Sequence, residues 1–240
     1  MNELLQTYAH LLPERTPVLV QLLTDSFWEL LPPIIELTIP IAAASFVLGL
    51  AIALAAAIAR FKAVPVLSKA ASVYVWLVRG TPLLVQLFVV FFGLPSLDIL
   101  IDPVPAAIAV FSLNVGAYAS EILRGALEGV PRGQWAAGRS LGLTEAQILR
   151  VIVLPQAMRS ATPALMNTLV SLVKDTSLAS SITVTEMFMT AQQIAARTYE
   201  PFWLYAEAAV LYLAICTVLT GVQMMLEQRL RVPEHEGFQR

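Results

Sequence analysis

Gly133–Pro155, GQWAAGRSLGLTEAQILRVIVLP, is a polar stretch punctuated by glycines at 133, 138 and 142 and set between runs apolar enough for lipid. It reads as a pair of short helices turned at Gly142, and a soluble-looking insert needs a reason. Of the 240 residues 58% are hydrophobic and only 13% charged, with a mean hydropathy of +0.73, well above that of a soluble domain. The chain therefore reads as an all-α, polytopic membrane protein. Its formal net charge of -2 gives no reason to invoke nucleic acid, and two histidines with one cysteine are too few for a metal cluster or a disulfide framework. Cys216 sits in an apolar run and reads as a small buried hydrophobe. The N-terminus, MNELLQTYAHLLPERTPVLV, has no basic n-region and is interrupted by Pro13 and Pro17, so no signal peptide is expected.

A helix needs about 20 mostly apolar residues to cross ~30 Å of hydrocarbon. Four segments come close: Leu37 to Ala59, Gly80 to Leu97 extended backward by residues 71–78, Pro103 to Ser120, and Ala208 to Leu226. A fifth, Ser160 to Val173, is broken by Lys174 and Asp175 before LASSITV resumes. The expectation is five transmembrane helices. Orientation follows from the basic residues, which are retained in cytoplasmic loops. Arg60, Lys62 and Lys69 follow the first span, Arg124, Arg132, Arg139, Arg150 and Arg159 the third, and Arg229, Arg231 and Arg240 the last; only Arg15 and Arg197 fall on the other side. The N-terminus is thus expected outside, the C-terminus inside, and the quoted stretch in the cytoplasm.

Within that stretch Ala136-Ala137-Gly138, three residues, Gly142, nine residues and Ile152-Val153-Leu154-Pro155 resemble the EAA motif of bacterial ABC importer permeases, E-A-A-x3-G-x9-I-x-L-P. In that family the motif is a cytoplasmic coupling helix docked in a groove of the ATPase subunit. The resemblance assigns ATPase coupling to Gln134, Trp135, Ala136, Ala137, Gly138, Gly142 and Leu143, with the turn at Gly142 expected to let two helices approach closely. Ala136 stands where the family has Glu, so a carboxylate contact does not carry over, and neither Glu128 nor Glu145 has the spacing to replace it.

The stretches Arg79 to Pro95, Asn114 to Trp135 and Ser171 to Phe188 are similar to the polar amino acid branch of these permeases, which includes histidine, glutamine, arginine and cystine importers. The run IDPVPAAIAVFSLNVGAYASE with SLVKDTSLA and IAARTYEPFWLYAEAA is most similar to the cystine importers. The similarity implies a type I ABC importer permease divided into an extracytoplasmic segment 1–30, a transmembrane domain 31–230 with the EAA-like loop at 128–159, and a cytoplasmic tail 231–240. It implies a bacterial inner-membrane location, an ABC ATPase dimer carrying ATP and Mg²⁺, an extracytoplasmic solute-binding protein and a second permease copy, a homodimer being favoured. No GxxxxGK[ST] occurs in the chain, so it is expected to bind no cofactor and to be no enzyme itself.

Ionisable residues at membrane depth mark function. Arg79 lies ten residues beyond Lys69, or ~15 Å along a helix, near mid-bilayer. Asp175 interrupts the fourth span beside Lys174, and on a helix the two point in different directions. A free amino acid needs an anion for its ammonium, a cation for its carboxylate and hydroxyls between. Asp175 and Arg79 suit the charges, and Thr81, Thr176 and Ser177 the hydroxyls, while Pro82 frees backbone polar groups. Alternatively, Arg79 and Asp175 simply pair with each other. Leu178, three after Asp175, favours a neutral polar or disulfide-containing side chain such as cystine, with glutamine or another neutral amino acid as the alternative. Glu186 is placed near the outer end of the span. Two other classes remain: an ion-coupled carrier, for which no internal repeat is found, and a structural scaffold, which leaves Arg79 and Asp175 unexplained.

Overall fold

The computed structural model describes residues 2–62 and 65–230, with side chains from 16 to 62 and from 65 to 229. The tail 231–240, with Arg231 and Arg240, lies outside the described residues. The described residues contain ten α-helices: α1 Asn2–Pro33, α2 Ile39–Phe61, α3 Pro65–Arg79, α4 Leu83–Phe88, α5 Pro103–Glu128, α6 Arg132–Ser140, α7 Glu145–Gln147, α8 Leu154–Asp175, α9 Met187–Thr198 and α10 Pro201–Leu230. No strand occurs among the described residues.

Among the described residues three helices are long and apolar enough to cross a bilayer: Thr16–Phe61, Pro103–Glu128 and Pro201–Arg229. Pro65–Arg79 and Leu83–Leu97 reach that length together but are bent by 105° at the break. The apolar segment 71–97 is thus a bent pair of helices. The physical reason is Gly80-Thr81-Pro82: Pro82 has no N–H and takes an extended conformation, φ -63° and ψ 138°. The first helix shows no interruption at residue 30; α1 continues into α2 through a π turn, Ile34–Thr38.

Each π turn is followed, two positions on, by a proline. Ile34–Thr38 precedes Pro40, Val89–Gly93 precedes Pro95, and Ile148–Val153 precedes Pro155. The carbonyl a proline ring would strike is four residues back, at Glu36, Phe91 and Val151, and all three lie inside the widened turns. The wider i to i+5 pattern lets the helix absorb a proline without ending.

The core forms where α2 lies on α5. Ser45 Oγ donates to the Ile108 carbonyl at 3.4 Å, and Arg60 pairs with Glu121 near the helices' other ends. Numbers rise together along both helices, so α2 and α5 run parallel. Small residues make the contact possible: a Cβ added at Gly49 would lie 2.6 Å from Val115 Cγ1, and one at Gly116 would lie 2.7 Å from Ile52 Cγ2 and 2.6 Å from the Tyr74 hydroxyl. Lipid tails are as apolar as leucine, so helices in membranes associate through close packing of this kind. Tyr74 fastens α3 to the pair by donating to the Leu113 carbonyl at 2.5 Å.

The segment from α8 onward runs back across this pair. Gln156, near its start, contacts Gln134 of α6 at 3.3 Å, whereas Met187 beyond its end donates its N–H to Thr38 at the head of α2 at 3.4 Å. Helix α8 ends at Asp175 and continues as a 3-10 turn, Thr176–Ile182, so the interruption expected at Lys174-Asp175 is a change of helix type. A second cluster joins Leu30 and Ile34 to Met187, Ile194, Leu204 and Leu211, with an Arg197–Glu29 ion pair at 2.7 Å beside it.

Gly49→Val should overpack the α2–α5 seam and cost about 1–3 kcal/mol, whereas Gly221→Ala, which adds a methyl to open space, should cost nothing measurable. Thermal unfolding of the detergent-solubilised protein checks both.

Candidate functional site: a polar cavity and a cytoplasmic loop

The α2–α5 pair leaves space where α5, the bend after α3 and the end of α8 converge. A cavity of ≈450 Å³ opens there, within the size range of small-molecule sites. Its polar lining is Thr81, Asn114, Tyr118, Asn167, Thr168, Ser171 and Asp175, and its apolar lining includes Phe111, Leu172 and Leu178. Asp175 is the one ionisable carboxylate among the lining residues.

Of the residues named from sequence, Thr81, Asp175 and Leu178 meet in this cavity. Lys174 is exposed while Asp175 is half-buried, as neighbouring helical positions require. Arg79 does not line the cavity; its guanidinium lies 5.2 Å from the ring centre of Tyr118, which does. No ion pair joins Arg79 to Asp175, so the alternative in which the two simply neutralise each other is not realised in this structure. Thr176 is fully buried and not part of the lining, its hydroxyl donating to the Val173 carbonyl at 2.7 Å. Ser177 Oγ bonds the Lys174 carbonyl at 2.7 Å and is not part of the lining.

The backbone groups freed by Pro82 are not offered to the cavity, which corrects the sequence reading. Gln86 spans the bend and donates to the carbonyls of Val78 at 2.7 Å and Thr81 at 3.1 Å, and to Thr81 Oγ1 at 2.9 Å. In hydrocarbon such carbonyls need a partner within the protein.

Asn114, Tyr118, Asn167, Thr168 and Ser171 escaped the sequence reading. A signal was present: Asn167, Ser171 and Asp175 recur every four residues, and Asn114 and Tyr118 stand four apart, so each set shares one helical face. Polar stripes on otherwise membrane-buried helices mark a cavity as surely as a charge does.

The second functional element is the loop between α5 and α8. Pro131 is extended and starts α6, and Thr144 starts α7 with a capping box: its Oγ1 accepts from Gln147 N–H at 3.3 Å while Gln147 Oε1 accepts from Thr144 N–H at 2.9 Å. Arg139 donates to Glu145 across the turn at 2.7 Å, and this hydrogen bond holds the Glu145 carboxyl below its usual range. Trp135 stacks on Phe61 at the end of α2, ring centres 5.9 Å apart, which ties α6 to the core. Gln134, Ala136, Ala137 and Leu141 are exposed, and Leu143 is half-buried.

The close approach expected at Gly142 occurs instead at Gly138. A Cβ at Gly138 would lie 2.7 Å from Ile148 Cγ1, whereas nothing stands within 4 Å of one at Gly142. Gly142 serves the turn through its conformation, φ +74°, which L side chains rarely adopt.

Parallel close-packed helices, a polar cavity at mid-bundle and a surface loop on a crossing helix define the membrane-spanning component of a transport system. The chain belongs to the family described as binding-protein-dependent transport system inner membrane component, whose model matches residues 46–232. It is 49% identical to the L-cystine transport system permease protein TcyB of Bacillus subtilis (strain 168), over 87% of this chain and 90% of that one. It is 35% identical to the glutamine transport system permease protein GlnP of Escherichia coli (strain K12), over 87% and 97%. Among solved structures, an amino acid ABC transporter crystallised with histidines matches at TM-score 0.78 and 29% identity, covering 85% of this chain and 97% of that one. The MetNI methionine ABC transporter shares the fold at TM-score 0.67 and 21% identity, over 89% and 98%.

Gly138→Leu should overpack α6 against Ile148 and loosen the loop, while Gly142→Asn, a residue that tolerates the left-handed region, should be nearly neutral and Gly142→Val should cost about 1–2 kcal/mol. Trypsin cleavage rates at Arg139 and Arg150 report the ranking.

Proposed function

We propose that this chain is the permease subunit of an ATP-driven importer of a polar amino acid, cystine favoured, received from a solute-binding protein outside the membrane. ATP and Mg²⁺ belong to a separate ATPase dimer, and two copies of this chain form the translocation path. The observation that carries the reading is the mid-bundle cavity with a single carboxylate, in a chain whose relatives are named as cystine and glutamine permeases. Asp175 takes the substrate ammonium, and the amides of Asn114 and Asn167 with the hydroxyls of Thr81, Thr168 and Ser171 serve its polar groups. The lack of a second carboxylate in the lining suits a neutral side chain. Arg79, held over the lining residue Tyr118, offers its guanidinium to the substrate carboxylate.

The proposed topology has five spans with the N-terminus outside and the C-terminus inside. Because α2 and α5 run parallel, the bent pair between them must return the chain to the side it came from. Likewise α8 with its 3-10 continuation travels from the α6 end of the bundle to the head of α2. The exposed face of α6, with Gln134, Ala136 and Ala137, is then the cytoplasmic surface that meets the ATPase, while Trp135 and Gly138 fix its angle from within.

Cysteines placed singly at Ser68, Ser96 and Ser140 in a Cys216→Ala background should label from the cytoplasm, the outside and the cytoplasm in turn; any other pattern would withdraw α6 from the ATPase.

Asp175→Asn keeps size and hydrogen bonding but removes a charge-assisted contact of about 1.5–3 kcal/mol. Uptake by the complex reconstituted with its ATPase and binding protein should fall roughly tenfold to hundredfold at sub-saturating substrate. Since Arg79 and Asp175 are unpaired, adding Arg79→Gln should not restore it. Unchanged uptake in Asp175→Asn would overturn the substrate site.

A further inference from the structure

Outside the cavity lining stands a buried carboxylate that the transport reading does not use. Glu186 is fully buried, 0% exposed, in the short link between the 3-10 turn and α9. Its Oε1 accepts from the Met189 N–H at 2.9 Å and so caps α9. The Phe188 N–H and the Thr38 hydroxyl also bond to it, and its Oε2 accepts from the Tyr212 hydroxyl at 2.9 Å. The Tyr212 phenol oxygen in turn is within hydrogen-bonding reach of the hydroxyl of Thr176, the residue next to Asp175, whose one proton serves either the phenol or the Val173 carbonyl. One carboxylate thus joins the head of α2, the start of α9, the middle of α10 and the first residue of the 3-10 turn.

The chain between these points is held in an unfavourable shape. Thr183 closes the 3-10 turn at φ 67°, a conformation that a β-branched residue adopts only when its surroundings impose it. Backbone bonds from Thr183 to Ser180 and from Val184 to Ala179 close the turn on one side, and the Glu186 cap closes it on the other. With both ends fixed, the azimuth of the turn is fixed, and so is the direction in which Asp175 leaves it.

We propose that Glu186 is a positioning residue which, through Tyr212 and Thr176, holds Asp175 at the cavity. The inference rests on the reading of the cavity as the substrate site. It gives Thr176 a function different from substrate contact: the hydroxyl anchors the turn. A lost anchor lets the helix-to-3-10 junction rotate, and the carboxylate then spends less time facing substrate.

A double-mutant cycle tests this in the assembled complex in liposomes, with uptake of cystine from its binding protein as the readout and thermal stability measured alongside. Tyr212→Phe, which removes one hydroxyl from a well-packed ring, should lower uptake about tenfold, the loss of one buried hydrogen bond converted at 1.4 kcal/mol per decade. In an Asp175→Asn background the same change should alter uptake less than twofold, because the carboxylate it positions is gone. Thr176→Val should repeat both results, and it carries the test should Tyr212→Phe fail to assemble. Equal fold losses in the two backgrounds would mean Tyr212 and Glu186 only hold the fold together, and no loss in the single variant would remove their role altogether; either overturns the proposal. If Asp175→Asn by itself left uptake intact, the cavity reading would fail and this inference with it, an outcome distinct from the other two.

Discussion

The parallel seam between α2 and α5 is the contact on which the rest of the bundle is hung. Hydrocarbon gives apolar helices no reason to prefer one another over lipid, so a seam has to be won by shape. Gly49 and Gly116 leave room for Val115 and Ile52 to enter the opposite helix, and Ser45 adds one interhelical hydrogen bond. Two consecutive long helices running the same way oblige everything between them to recross the bundle. That obligation explains why residues 65–97 fold back in a sharply bent pair, and why the bend must satisfy its own backbone through Gln86.

Prolines shape the helices without ending them. At Pro40, Pro95 and Pro155 the preceding turn widens to the π pattern, moving the carbonyl that the ring would strike. Pro163 is carried inside α8 with no widened turn, whereas at Pro82 the backbone turns extended and the helix breaks. The difference has a functional consequence, because the break places Thr81 and Pro82 against the cavity while the widened turns keep α2 and α8 continuous.

The cavity and the α6 loop are joined by rigid parts. From the loop, Trp135 rests on Phe61 at the foot of α2, and Gly138 rests on Ile148 in the turn that leads into α8. Helix α8 then runs unbroken to Asp175. Packed side chains and one continuous helix therefore connect α6 with the seam and the cavity.

Much was legible in the residues alone. Composition and the lengths of apolar runs determined a membrane-embedded, all-α chain, and the spacing from Ala136 to Pro155 determined the loop and the family, because these properties are local and additive along the sequence. Asp175 and Thr81 announced themselves as polar groups in apolar surroundings. Tertiary structure alone decided which glycine is a close approach and which is a turn, since Gly138 and Gly142 differ only in what stands opposite and in φ. It decided that Arg79 stacks on Tyr118 and leaves Asp175 unpaired, and that Thr176 is buried outside the cavity that Asp175 lines. Glu186 was visible as a charge, but its partners Thr38 and Tyr212 lie far from it in sequence. The direction of a side chain at a helix-to-3-10 junction is set by such distant partners, and no local pattern encodes them.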